Sequence, residues 1–103
     1  MKFEKLVRDR IPEIIESKGE TAVTHIAEER EFREKLREKL DEEIEEFDKS
    51  PNAEEMADIQ EVLQALAKAH DIKWDRMKEI QKKKAKERGG FEQRIILDKT
   101  KKK

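Results

Sequence analysis

The 103-residue chain has no cysteine, which excludes a disulfide scaffold, a thiolate zinc site and a thiol nucleophile. Three Gly and two Pro leave long stretches free of helix breakers. No apolar run approaches the roughly 20 residues that cross a bilayer. The opening Met1-Lys2-Phe3-Glu4-Lys5 has no apolar stretch of the kind that heads a secretory signal. These absences predict a soluble, cytoplasmic protein with no membrane partner. A surplus of one charge is missing too. The 25 Lys and Arg stand against 26 Asp and Glu, for a net charge of −1, whereas a sequence-specific nucleic-acid binder usually carries a basic excess.

What is present is charge of both signs. Charged residues make up 50% of the chain, about twice the usual share, and hydrophobic residues only 34%. Such a composition suits a disordered chain, but disorder predicts polar segments without period, and here the apolar residues recur at helical spacing. The length allows one domain, expected over residues 1–98, with 99–103 as a solvated basic tail. A small apolar fraction in a small chain also makes a lone monomer marginal and favours self-association, as a homodimer or a dimer of dimers.

Along the chain, Leu6 to Ile15 reads as an extended entry into a short helix, capped by Asp9, with Pro12 in its first turn and Lys18-Gly19 at its end. Thr21 to Ile26 is β-leaning but short, and is expected as an extended connector. A long helix is predicted from about Glu28 to Asp48, with Phe32, Leu36, Leu40, Ile44 and Phe47 as its apolar stripe. Ser50-Pro51-Asn52 breaks it and starts a second long helix, about Ala53 to His70, striped by Met56, Ile59, Val62, Leu63 and Leu66. So short a break predicts an antiparallel hairpin. A last helix carries Trp74, Met77 and Ile80 and ends at Gly89-Gly90. Phe91 to Leu97 reads as a terminal strand or an extended arm. The expected fold is therefore all-α: an antiparallel helical hairpin with shorter flanking helices, assembling into a helical-bundle oligomer.

Carboxylates interrupt both stripes. At about 100° per residue, Glu43 falls among Leu36, Leu40, Ile44 and Phe47, with Glu46 roughly 60° further round. Glu55 falls among Met56, Ile59, Val62 and Leu66, with Asp58 at the matching edge. Four converging carboxylates would open the hairpin unless compensated. A hard divalent cation such as Mg²⁺ or Mn²⁺ compensates them with oxygen ligation; protonation, or pairing with buried Lys or Arg, are the alternatives. Glu55 also stands third after Asn52, as in a capping box, and the Glu42-to-Glu46 run also reads as a solvated face.

Glu42-Glu43-x-x-Glu46 followed by Glu54-Glu55-x-x-Asp58 resembles the paired acidic motifs of the MazG-like all-α nucleotide pyrophosphohydrolases. Lys5-Leu6-Val7-Arg8-Asp9-Arg10-Ile11-Pro12 looks like the opening, and Arg88-Gly89-Gly90-Phe91 like the closing motif, of a compact phosphoribosyl-ATP-pyrophosphohydrolase-like branch. The resemblance spans nearly the whole chain, with a shorter gap between the acidic motifs than in many relatives. It implies Mg²⁺ held by Glu43, Glu46, Glu55 and Asp58, hydrolysis of a nucleoside triphosphate to the monophosphate and pyrophosphate, clearance of non-standard nucleotides as one role, and a dimer with shared pockets. Any of the four carboxylates not fully engaged by metal is a candidate to orient the attacking water.

Phosphates need positive partners. Lys84 continues the Met77–Ile80 face and Arg88 follows one turn later, a placement that suits phosphate oxygens or simply complements the helix dipole. Lys83 is the nearest competitor, and Lys5 and Arg8 are further candidates. His70 is expected as a hydrogen-bonded core histidine and Trp74 as packing. Two other readings stand beside the enzyme: a non-catalytic helical interaction module, and a family member that has lost turnover.

Overall fold

Breakers and caps set the helix boundaries. The structure, a computed structural model, describes residues 4–103; the opening residues 1–3, read above for a leader, lie outside them. Four helices follow in order: α1 (Ile11–Ser17), α2 (Glu29–Lys49), α3 (Ala53–Ala69) and α4 (Trp74–Arg88). Among the described residues there is no strand, so the chain is all-α, and no helix is long and apolar enough to cross a membrane.

Pro12 lies in the first turn of α1, where its missing N–H costs no hydrogen bond. Asp9 does not cap this helix. Arg10 is the N-cap residue and no side chain caps the turn; instead the Ile11 amide donates to the Arg8 carbonyl at 3.0 Å, a backbone turn that satisfies a leading amide in the cap's place. At the other end Gly19 takes φ 89°. The Gly19 amide bonds the Glu16 carbonyl and the Glu20 amide bonds the Ile15 carbonyl, so the left-handed residue closes α1 as a Schellman motif. Residues 20–28 form no regular structure, with Val23 and Ile26 almost wholly exposed.

Ser50-Pro51-Asn52 parts α2 from α3, and the Asn52 side chain accepts the Glu55 amide at 2.9 Å. The end of α3 is also a Schellman closure, but with Asp71 as the left-handed residue at φ 57°. Its amide bonds the Lys68 carbonyl and the Ile72 amide bonds the Ala67 carbonyl at 2.8 Å. His70, expected in the core, is the exposed C-cap residue of α3. The helix ends at Ala69, and the chain leaves its path at Asp71, directly after His70.

Helices α2 and α3 pack on one another. Leu36 of α2 and Val62 and Ala67 of α3 are the buried apolar residues. Phe32, Leu40, Phe47, Ile59 and Leu66 flank them half-buried. The Arg33 guanidinium near the start of α2 donates to the Ala69 carbonyl at 3.0 Å, satisfying one of the carbonyls that α3 leaves open at its end. Other stripe residues stay in solvent: Ile44, Met56 and Leu63 are exposed. Met56 also lines an open hollow along α3 with Ala53, Ala57 and Gln60.

The chain divides into two compact units, one ending at Ile72 and one beginning at Lys73. They differ in charge: residues 1–72 carry 12 Lys and Arg against 21 Asp and Glu, and residues 73–103 carry 13 against 5. In the second unit α4 half-buries Trp74 and Met77, leaves Ile80 exposed, and ends at Gly89 with φ 82°. The strand alternative for Phe91 to Leu97 is not realised. After a turn, the segment runs without regular structure and exposes Phe91, Ile95, Ile96 and Leu97.

Candidate metal centre

Two helices deliver the carboxylates, and the cap of one helps to aim them. The Asn52 side chain holds the Glu55 amide and so fixes the first turn of α3. With its backbone held there, Glu55 sits on the seam, and Asp58 follows three residues later on the same side. Glu43 reaches the same place from the middle of α2. One carboxylate oxygen from each of Glu43, Glu55 and Asp58 lies within 4.8 Å of the other two. Capping and seam placement are thus compatible roles of one residue, Glu55, through its amide and its carboxylate.

The three groups are not equally sheltered. The Glu43 side chain is 13% exposed and that of Asp58 40%. Glu46, expected as a fourth ligand, lies outside the trio; it is exposed and pairs with Lys49 at 3.5 Å. Its charge still reaches the cluster. The Glu55 carboxyl is raised above its ordinary value, first by its loss of water contact and then by the negative charges of Asp58, Glu46 and Glu43.

Two cations offset part of this repulsion. Lys39, one turn before Glu43 on α2, has its side chain only 18% exposed and its ammonium 3.3 Å from Glu43 and 3.4 Å from Glu42. Arg8, from the segment before α1, donates through Nη2 to the Asp58 Oδ1 at 2.8 Å and places Nη1 3.8 Å from Glu61. Lys5 of the same segment stands 3.4 Å from Glu42. Lys39 does not figure in the sequence expectations. Its signal is there, as a cation four residues before the seam carboxylate Glu43. The expected phosphate-binding residues therefore fall in two groups. Lys5 and Arg8 are placed against acidic residues of α2 and α3. Lys84 and Arg88 lie on α4 in the second unit, exposed, and among the described residues make no ion pair, whereas Lys83 pairs with Glu87.

The donor set fits a hard divalent cation. It is made of carboxylate oxygens alone, without imidazole or sulfur, which suits Mg²⁺ or Mn²⁺ over softer metals. About an octahedral Mg²⁺ neighbouring oxygens stand about 3.0 Å apart and only an opposed pair reaches about 4.2 Å, so a trio whose oxygens lie within 4.8 Å of one another draws closer as it takes one. Neither a family model, a curated protein nor a solved structure matches this chain.

Proposed function

We propose that the chain is a Mg²⁺-dependent nucleoside triphosphate pyrophosphohydrolase of the MazG-like all-α type, releasing nucleoside monophosphate and pyrophosphate. The observation that carries the reading is the convergence of Glu43, Glu55 and Asp58 from two helices within 4.8 Å, at positions where apolar residues would stabilise the metal-free protein more. In this reading α2 and α3 form an antiparallel hairpin, which the Arg33–Ala69 bond supports. The chemistry a bound Mg²⁺ supplies is neutralisation of phosphate charge and activation of water for attack.

The chain's own residues then divide the work. Glu43, Glu55 and Asp58 hold the ion. Glu46 stands outside that trio, so its carboxylate is the one left to orient the water and accept its proton. Lys84 and Arg88 bind phosphate oxygens, a role that rests on the family resemblance. The exposed apolar residues of α2 and α3, Ile44, Met56 and Leu63, are covered by a second copy.

A screen of nucleoside triphosphates with Mg²⁺ and pyrophosphate detection tests the proposal. At least one substrate is expected to release pyrophosphate stoichiometrically with monophosphate, and Glu46→Gln is expected to lower kcat far more than it lowers metal affinity. Lys84→Ala and Arg88→Ala are expected to weaken substrate binding or lower kcat/KM while leaving metal affinity nearly unchanged. Metal binding with no turnover on any nucleotide would point to a member that has lost activity. The rival reading, a charged helical interaction module, draws support from Lys39 and Arg8, which already neutralise part of the cluster. It predicts no metal binding at all.

A further inference from the structure

Arg8 stands fifty residues from Asp58 in the chain, yet its guanidinium reaches that carboxylate at 2.8 Å, closer than the Lys39 ammonium stands to Glu43 at 3.3 Å. It comes from residues 4–8, which have no regular structure, and it forks, one nitrogen toward Asp58 and the other toward Glu61. Lys39 differs in kind. It shares α2 with both of its partners, Glu43 and Glu42, so helix geometry holds it there, whereas Arg8 is brought to Asp58 and Glu61 by a segment outside α2 and α3.

We propose that Arg8 and a divalent cation are alternatives at Asp58: Arg8 is the resident counter-cation of the metal-free cluster, and metal binding takes Asp58 away from its guanidinium. This rests on the reading of Glu43, Glu55 and Asp58 as a metal centre. The physical ground is competition for one carboxylate. The guanidinium occupies Asp58 Oδ1 with a charge-assisted hydrogen bond, and a cation that takes Asp58 as a ligand both replaces that attraction and repels the positive charge beside it. The pair is well exposed, with side chains 56% and 40% accessible, so the competition is weak enough to be reversed. Its consequence is a coupling. The same event that fills the centre leaves the Arg8 guanidinium with Glu61 as its remaining carboxylate and one side of its planar fork open to phosphate oxygens.

Calorimetric titration of Mg²⁺, and separately of Mn²⁺, into the full chain and two variants tests this. Arg8→Gln removes the competitor and is expected to bind metal about two- to fivefold more tightly, the range set by an exposed ion pair. Arg10→Gln removes the same charge two residues away, from a residue paired with Glu13, and is expected to bind as the parent does. Circular dichroism checks that both keep their helices, and Arg8→Lys, with charge but no fork, gives an intermediate value. A second readout needs no variant. Trypsin must take the Arg8 side chain into its own pocket, so cleavage after Arg8, relative to cleavage after Lys18, is expected to speed up when Mg²⁺ saturates the protein. Equal tightening by Arg8→Gln and Arg10→Gln would reduce the effect to general charge and overturn the competition, as would weaker binding by Arg8→Gln or an unchanged tryptic ratio. Those results would leave the metal centre standing. A parent chain that binds neither metal would remove the centre and the competition together.

Discussion

Replacing Glu43 with Gln is expected to stabilise the protein without metal and to destabilise it, relative to the parent, with metal. In the parent, the Glu43 carboxylate faces two like charges at no more than 4.8 Å and one opposite charge, Lys39, at 3.3 Å. Coulomb's law at a common dielectric makes the two repulsions together exceed the one attraction. The surplus is about 0.5 kcal/mol at the dielectric of water and about 2 kcal/mol at an effective value near 20, and a side chain 13% exposed falls between. Glu43→Gln removes all three interactions, and Lys39 keeps Glu42. Metal-free stability is therefore expected to rise by about 0.5–2 kcal/mol, which is about 2–16 °C in Tm for a domain of this size. Mg²⁺ at a hundredfold excess over Kd stabilises the parent by about 2.7 kcal/mol and the variant by far less, so the order reverses. Thermal unfolding in EDTA and in saturating Mg²⁺ reads both signs. A variant less stable than the parent in EDTA would show that Glu43 is held there by attraction, and would refute the reasoning.

Three further outcomes follow from the packing and charge. Leu36 is 2% exposed and stands at the centre of a thin core, so Leu36→Ala is expected to cost roughly 2–5 kcal/mol in urea unfolding; a loss under 1 kcal/mol would mean that the α2–α3 seam contributes little. The raised Glu55 carboxyl binds its proton more tightly folded than unfolded, so metal-free stability from this group increases as pH falls from neutral toward its ordinary value of 4.5 and is lost as pH rises through the folded value. The stability difference between the parent and Glu55→Gln in EDTA should accordingly shrink as pH is lowered, and a difference that widens would contradict the direction of the shift. With Ile44, Met56, Leu63 and Ile80 exposed, light scattering is expected to give a mass of two or four chains at micromolar concentration, and a monomer's mass would refute self-association.

Local signals in the sequence carried the helices well. Gly19 ends α1 and Asn52 opens α3, because each acts on backbone groups within a few residues. The seam carboxylates were legible for the same reason: helical period alone puts Glu43 and Glu55 among apolar side chains. Lys39 shares that period, but a Lys in so charged a helix reads as solvated. Long-range placement was not legible. Nothing near Arg8 in the chain points to Asp58, and the pairing exists only because the segment before α1 lies beside α3. His70 follows the α3 stripe on paper, but the closure at Asp71 ends the helix there. The overall net charge of −1 likewise hid an acidic stretch to Ile72 and a basic one from Lys73, whose charges cancel only in the total.

The central claim is that carboxylates from α2 and α3 form one cation site. Calorimetry of Mg²⁺ and Mn²⁺ with the parent and with a Glu43→Gln, Glu55→Gln double variant, checked by circular dichroism to keep its helices, tests it most directly. Saturable binding by the parent that disappears in the double variant is the predicted result. Full metal affinity in the double variant, or no binding by the parent, would contradict the account and leave α2 and α3 as a charged helix pair neutralised by Lys39 and Arg8.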